Sequence, residues 1–126
     1  MAESYPEDLK YHPEHDWARI EGEEATFGIT WYAQDALGEV VFYDAPEVGA
    51  AVTKDKAYTE VESVKAVSDV FAPLSGEIVA VNALLADAPE NINSDPYGDG
   101  WLVRVKLSDA SEVESLLDAA AYRELL

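Results

Sequence analysis

Apolar residues along the chain fall into short alternating runs, a pattern that predicts strands rather than long helices. The alternation is cleanest at residues 101–107, where Trp101, Val103, Val105 and Leu107 share one face and Arg104 and Lys106 the other. That run is expected at a half-buried sheet edge. Residues 17–21 and 25–29 read as two strands turning at Gly22, and residues 39–43 as a further one before a turn at 44–47. Residues 49–55 read as a short extended piece ending in an exposed basic turn with Lys54 and Lys56.

Helical spacing is confined to short stretches. Thr30 is a natural N-cap for a helix over 31–37, with Gly38 as its left-handed C-terminal residue. Trp31, Tyr32 and Leu37 there read as core contacts. Asn82 is expected to cap a turn over 83–86 that stops before Pro89, and residues 91–100 have the Asn, Pro, Gly and Asp of a fixed surface loop. Ser111 and Glu114 form a capping-box pair. They are expected to open one amphipathic helix in which Val113, Leu116, Leu117, Ala120 and Ala121 face the β body and Leu125 lies one turn further; partner docking is the alternative.

Two runs, 57–61 and 66–71, read as the arms of a hairpin, with Lys65 at its tip and Pro73 ending the second arm. A lysine held there presents its amine at a defined point while remaining open to another protein. This is the geometry of a modification site. Gly38-Glu39-Val40-Val41 before the hairpin recurs as Gly76-Glu77-Ile78-Val79 after it, which suggests two similar β halves.

A length of 126 residues suits one domain over 1–126, with residues 1–10 polar and loosely held. The net charge of -18, from 26 acidic against 8 basic residues, would repel phosphate backbones and anionic lipid head groups. Nucleic acid and membrane surfaces are therefore not expected as partners. The acidity fits either a salty cytoplasm or a carrier steered to basic docking faces. With no cysteine, the chain has no disulfide framework and no thiol chemistry of its own. The acidic N-terminus lacks the apolar region of a secretory signal, so a cytoplasmic protein is expected.

No nucleophile paired with a base, no Gly-x-Ser-x-Gly elbow and no phosphate-binding glycine loop is present, so a carrier is expected rather than an enzyme. His12, Glu14, His15 and Asp16 lie close in sequence, but their spacing matches no metal site and they read as a solvated loop; no metal is expected.

Glu62-Ser63-Val64-Lys65-Ala66, then Ser68-Asp69 and Pro73-Leu74-Ser75-Gly76-Glu77-Ile78, resembles the lipoylation segment of the glycine cleavage system H proteins. The resemblance extends through His15-Asp16-Trp17, Gly28-Ile29-Thr30, Ala33-Gln34, Leu37-Gly38, Pro46-Glu47-Val48-Gly49, Asn93-Ser94-Asp95-Pro96-Tyr97-Gly98 and Gly100-Trp101. It covers nearly the whole chain. It implies a mainly β fold, a flattened barrel-sandwich hybrid of two antiparallel sheets similar to lipoyl and biotinyl domains, with short helices and a C-terminal amphipathic helix.

The resemblance also implies lipoate in amide linkage to Lys65, and a shuttle that carries glycine's aminomethyl group. The implied partners are the pyridoxal-phosphate glycine decarboxylase (P protein), the tetrahydrofolate-dependent aminomethyltransferase (T protein), dihydrolipoyl dehydrogenase (L protein) and a lipoate-attaching enzyme; a monomer is expected. Asp69 and Asp16 are the carboxylates implied to hold the amine in a surface cleft, although the family usually has Glu at the second position. Glu62 and Ser63 are implied in recognition by the attaching enzyme, with a plain turn role as the alternative for Ser63. Asp55-Lys56-Ala57 looks like the lipoylation triplet of 2-oxo acid dehydrogenase carriers, but Lys56 lacks the flanking strands that Lys65 has. A lipoate-relay or regulatory H-like protein and a 2-oxo acid dehydrogenase carrier are the competing readings.

Overall fold

The computed structural model describes residues 3–126. The chain begins with β1 (Lys10–His12), β2 (Asp16–Glu21) and β3 (Glu24–Ile29), followed by helix α1 (Trp31–Leu37) and β4 (Val40–Tyr43). A two-residue β5 (Ala51–Val52) precedes the hairpin of β6 (Ala57–Ser63) and β7 (Val67–Phe71), and then come β8 (Gly76–Val81), α2 (Leu84–Asp87), α3 (Asn91–Ser94) and β9 (Val103–Leu107). A 3-10 turn (Ala110–Ser115) and α4 (Ala119–Arg123) complete the described order. The strands form two antiparallel sheets, one in the order β1-β2-β3-β9-β8-β5 and the other β4-β6-β7. The two-sheet, mainly β architecture agrees with the sequence reading. Both sheets remain open, so the barrel is not closed.

The main core contains Phe27, Val61, Val70, Ile78, Val103 and Val105, all at most 2% exposed. Each such burial contributes roughly 1.5–3 kcal/mol before the entropy of ordering is set against it. A second, aromatic cluster joins Tyr5, Leu9, Tyr11, Trp17, Tyr97 and Tyr122. Residues 1–10 were expected to be loosely held. Of these, residues 1 and 2 lie outside the described residues, whereas Tyr5 and Leu9 are buried against this second cluster.

Tertiary pairing changes three local expectations. β9 lies between β3 and β8 rather than at an edge, because alternation distinguishes the two faces of a strand and carries no information about its neighbours. Residues 91–100 are not all loop: α3 puts Ile92 wholly inside the core. The C-terminal helix is broken in two, since Leu117 pairs in an extended conformation with Tyr11 through two 2.8 Å backbone hydrogen bonds. Asp109 rather than Ser111 caps the first piece, and Asp118 caps the second. So short a helix is marginal alone, and a paired backbone and a buried Tyr122 outweigh its continuation.

Gly28 lies opposite Trp17 in the β2–β3 pairing, and a Cβ there would come within 2.5 Å of the fully buried indole ring. The indole is also held by its 3.0 Å hydrogen bond to the Pro96 carbonyl. We therefore expect Gly28→Ala to destabilise the fold by about 1–3 kcal/mol through overpacking, seen as a lower urea midpoint at unchanged slope.

Candidate functional site

The β6–β7 hairpin narrows to Val64, Lys65 and Ala66, and one side chain builds the turn. Ser63 donates its N–H to the Ala66 carbonyl at 2.7 Å, while its Oγ accepts from the Lys65 and Ala66 N–H groups at 3.2 and 3.1 Å. The Val64 N–H donates to the Glu39 carbonyl at 3.0 Å, which ties the tip to the segment entering β4. Lys65 is thus an exposed side chain on an ordered backbone. Ser63 is buried beneath it, whereas Glu62 is exposed in a cross-strand row between Phe42 and Val67.

Gly38, at the end of α1, supports the lysine. Its φ of 84° is open to glycine, but its ψ of -162° lies away from the left-handed helical region expected of a helix-closing residue. A Cβ at Gly38 would come within 3.3 Å of Lys65 Cε. Asn93 fixes this segment, its Nδ2 donating to the Gly38 carbonyl at 2.8 Å and its Oδ1 accepting the Val40 N–H at 2.8 Å.

Beside the tip, a cleft of about 340 Å³ opens between α1, β7 and the turn before β2. Tyr32, Ala33 and Leu37 form one wall, Ala66 to Val70 another, and Glu14, His15 and Asp16 close the end. Asp16 and Asp69, 53 positions apart in sequence, therefore meet on one cavity. Ala66 brings its rim to the residue after Lys65. Glu62 and Ser63 are absent from the lining.

Asp16 is 2% exposed and its Oδ2 has no hydrogen-bond partner among the described residues. The nearest imidazole nitrogen, His12 Nδ1, is 3.9 Å away. That nitrogen accepts the Glu14 N–H at 3.1 Å, which leaves Nε2 as the donor to Asp55 Oδ1 at 2.6 Å. With its lone pair taken up by that N–H, His12 Nδ1 has no proton to donate to Asp16. Burial, helped by the Glu14 charge, raises the Asp16 pKa well above the usual carboxylate range. A buried carboxylate without a cation is costly, so the cleft is built to favour a positively charged guest. The small apolar wall and the orphaned oxygen together fit an acyl arm ending in an amine.

The sequence reading left the residue 12–16 turn as a solvated loop. Instead, its two histidines face different partners, His12 toward Asp55 and His15 toward Tyr122, with His15 at a φ of 73°. Glu14 and His15 are lining residues that local spacing could not identify, and Tyr32, expected as a core contact, is instead 40% exposed on the cleft wall, because the cleft is made by elements joined only in the folded chain.

A family model described as Glycine cleavage H-protein matches residues 9–126. A glycine cleavage system H protein of Salmonella arizonae is 56% identical over 122 residues, covering 96% of this chain and 95% of the relative. One of Halorhodospira halophila is 54% identical over 122 residues, covering 96% and 94%. The crystal structure of a glycine cleavage system H protein from Mycobacterium marinum superposes with a TM-score of 0.87 at 42% identity, covering 95% of this chain and 97% of that one.

Two outcomes follow from the site geometry. Ser63→Ala should cost about 1 kcal/mol and speed amide hydrogen exchange at Lys65 and Ala66, because both N–H groups lose their acceptor. Asp16 has a folded-state pKa raised above its unfolded value, so its favourable contribution is present below the unfolded pKa and lost as pH rises through the folded one. Asp16→Asn should therefore gain stability over the parent as pH rises from about 4 toward neutrality, measured by thermal melts across that range.

Proposed function

Because the chain belongs to the glycine cleavage H-protein family, we propose that it is a lipoylated shuttle with lipoate in amide linkage to Lys65 Nζ. The observation that supports this reading is the placement of Lys65 on an ordered tip, next to Ala66 on a cleft that holds a buried carboxylate whose Oδ2 has no hydrogen bond among the described residues. Bound there, lipoate would supply a dithiolane able to take up an aminomethyl unit and release it again, redox and carrier chemistry absent from a cysteine-free chain. The working partners in this reading are the pyridoxal-phosphate glycine decarboxylase, the tetrahydrofolate-dependent aminomethyltransferase and dihydrolipoyl dehydrogenase. The chain itself acts as a covalent carrier, not an enzyme, in a cytoplasmic setting.

Each residue has a distinct task. Lys65 gives up its charge on acylation and anchors the arm. Asp16 and Asp69 hold the amine, and Asp16 does so from a water-poor position where its attraction is weakly screened. Aspartate in place of the family's usual Glu shortens the reach by one methylene, and its position at the start of β2 sets it on the cleft from the sheet itself. Tyr32, Ala33 and Leu37 keep water from the arm. Glu62, with the exposed Phe42, Val64 and Val67, offers the attaching enzyme and later partners a mixed acidic and apolar surface around the lysine.

Peptide-level mass of the protein purified from its own host tests the reading. A lipoyl increment is expected on Lys65, and Lys65→Arg should fold normally, carry no lipoate and reduce reconstituted glycine cleavage to background. An unmodified Lys65 in cells whose attaching enzyme lipoylates other carriers would overturn the proposal.

A further inference from the structure

Three side chains from distant parts of the sequence meet behind the cleft. Tyr122 Oη, on α4, lies 2.7 Å from His15 Nδ1 and 2.8 Å from Thr30 Oγ1. Tyr122 and Thr30 are fully buried. Thr30 Oγ1 also accepts the Ala33 N–H at 3.2 Å as the N-cap of α1.

Each hydroxyl has one proton to donate, and this fixes the direction of the chain of hydrogen bonds. If Nδ1 of His15 carried a proton, it would donate to Tyr122, and Tyr122 would donate to Thr30. The Thr30 proton would then be buried with no acceptor among the described residues. In the reverse order Thr30 donates to Tyr122, Tyr122 donates to His15 Nδ1, and the imidazole proton resides on Nε2. Every buried group is paired in that arrangement, the condition that native interiors meet almost without exception.

His15 lines the cleft, its ring 4.5 Å from that of Tyr32, and its Nε2 has no hydrogen bond with the described residues. We infer that Tyr122 is a positioning residue that holds His15 in the Nε2–H form, so that the imidazole presents a neutral donor to an acceptor atom of the acyl arm. This rests on the carrier reading above. The donor complements the two carboxylates: Asp16 and Asp69 suit a cationic amine, whereas an uncharged N–H suits an amide carbonyl or a dithiolane sulfur. Burial also lowers the His15 pKa against the opposing effect of Glu14, which keeps the ring neutral near pH 7. The titratable groups that share its cleft or pack against its ring are Glu14, Asp16, Asp69, Tyr32 and Tyr122, none of them a cation.

Nitrogen NMR of protein with 15N-labelled imidazoles tests this directly, with His12→Gln used to assign the two histidines. At neutral pH, His15 should show a protonated, pyrrole-type Nε2 and an unprotonated Nδ1. Tyr122→Phe keeps the ring but removes the hydroxyl, so a mixture of tautomers is expected in a protein with an otherwise folded amide spectrum. If that variant does not fold, the unsubstituted protein still decides, because a proton on Nδ1 would overturn the inference. Protein enzymatically acylated on Lys65 then supplies the second half of the test. A His15 Nε2–H shift with both lipoyl and octanoyl groups identifies the amide carbonyl, and a shift with lipoyl alone identifies sulfur. No shift with either overturns the inference. Failure of Lys65 to accept lipoate would sink the carrier reading instead and leave the tautomer result standing.

Discussion

The site depends on keeping a seven-residue helix in place. Alone, α1 would be too short to persist in water, yet it forms one wall of the cleft and its end supports the lysine tip. Both of its ends are held by side chains from later in the chain. At the start, Thr30 caps Ala33 and is itself bonded to Tyr122; at the end, Asn93 binds Gly38 and Val40 on either side of Glu39. Glu39 in turn receives the Val64 N–H, so the path from helix to hairpin tip is continuous.

Electrostatically, the molecule has two regimes. Most of its 26 acidic residues affect long-range steering and solubility, where salt screens them. Asp16 is different, since burial removes the water that would otherwise stabilise its charge. Asp55 illustrates the contrast: exposed and hydrogen-bonded to His12 and Lys54, it is held below the usual carboxylate range. Two aspartates therefore shift in opposite directions because one is exposed with hydrogen-bond partners and the other is buried with an oxygen that has none among the described residues.

Much of this architecture was legible along the chain. Apart from β1, which falls in a stretch that reads as loop, the strand regions could be read along the chain, Thr30 announced the start of α1, and the hairpin with Lys65 at its tip follows from two β-prone arms and Pro73. These features depend on residues within a few positions of one another, and local pattern reports such interactions well. The identification of Asp16 and Asp69 as a pair came from family resemblance, since nothing in their spacing connects them.

The sequence by itself determined the two-sheet class, the lysine tip and the chain's membership of its family, because these are encoded in short-range periodicity and in motifs with fixed order. Only the tertiary structure decided that β9 is central, that the C-terminal helix breaks at Leu117 and that His15 bonds to Tyr122. Each of those outcomes is set by a contact between segments far apart in sequence. A backbone group that can pair across the fold, or a hydroxyl that must find a partner once buried, overrides the preference of its neighbours.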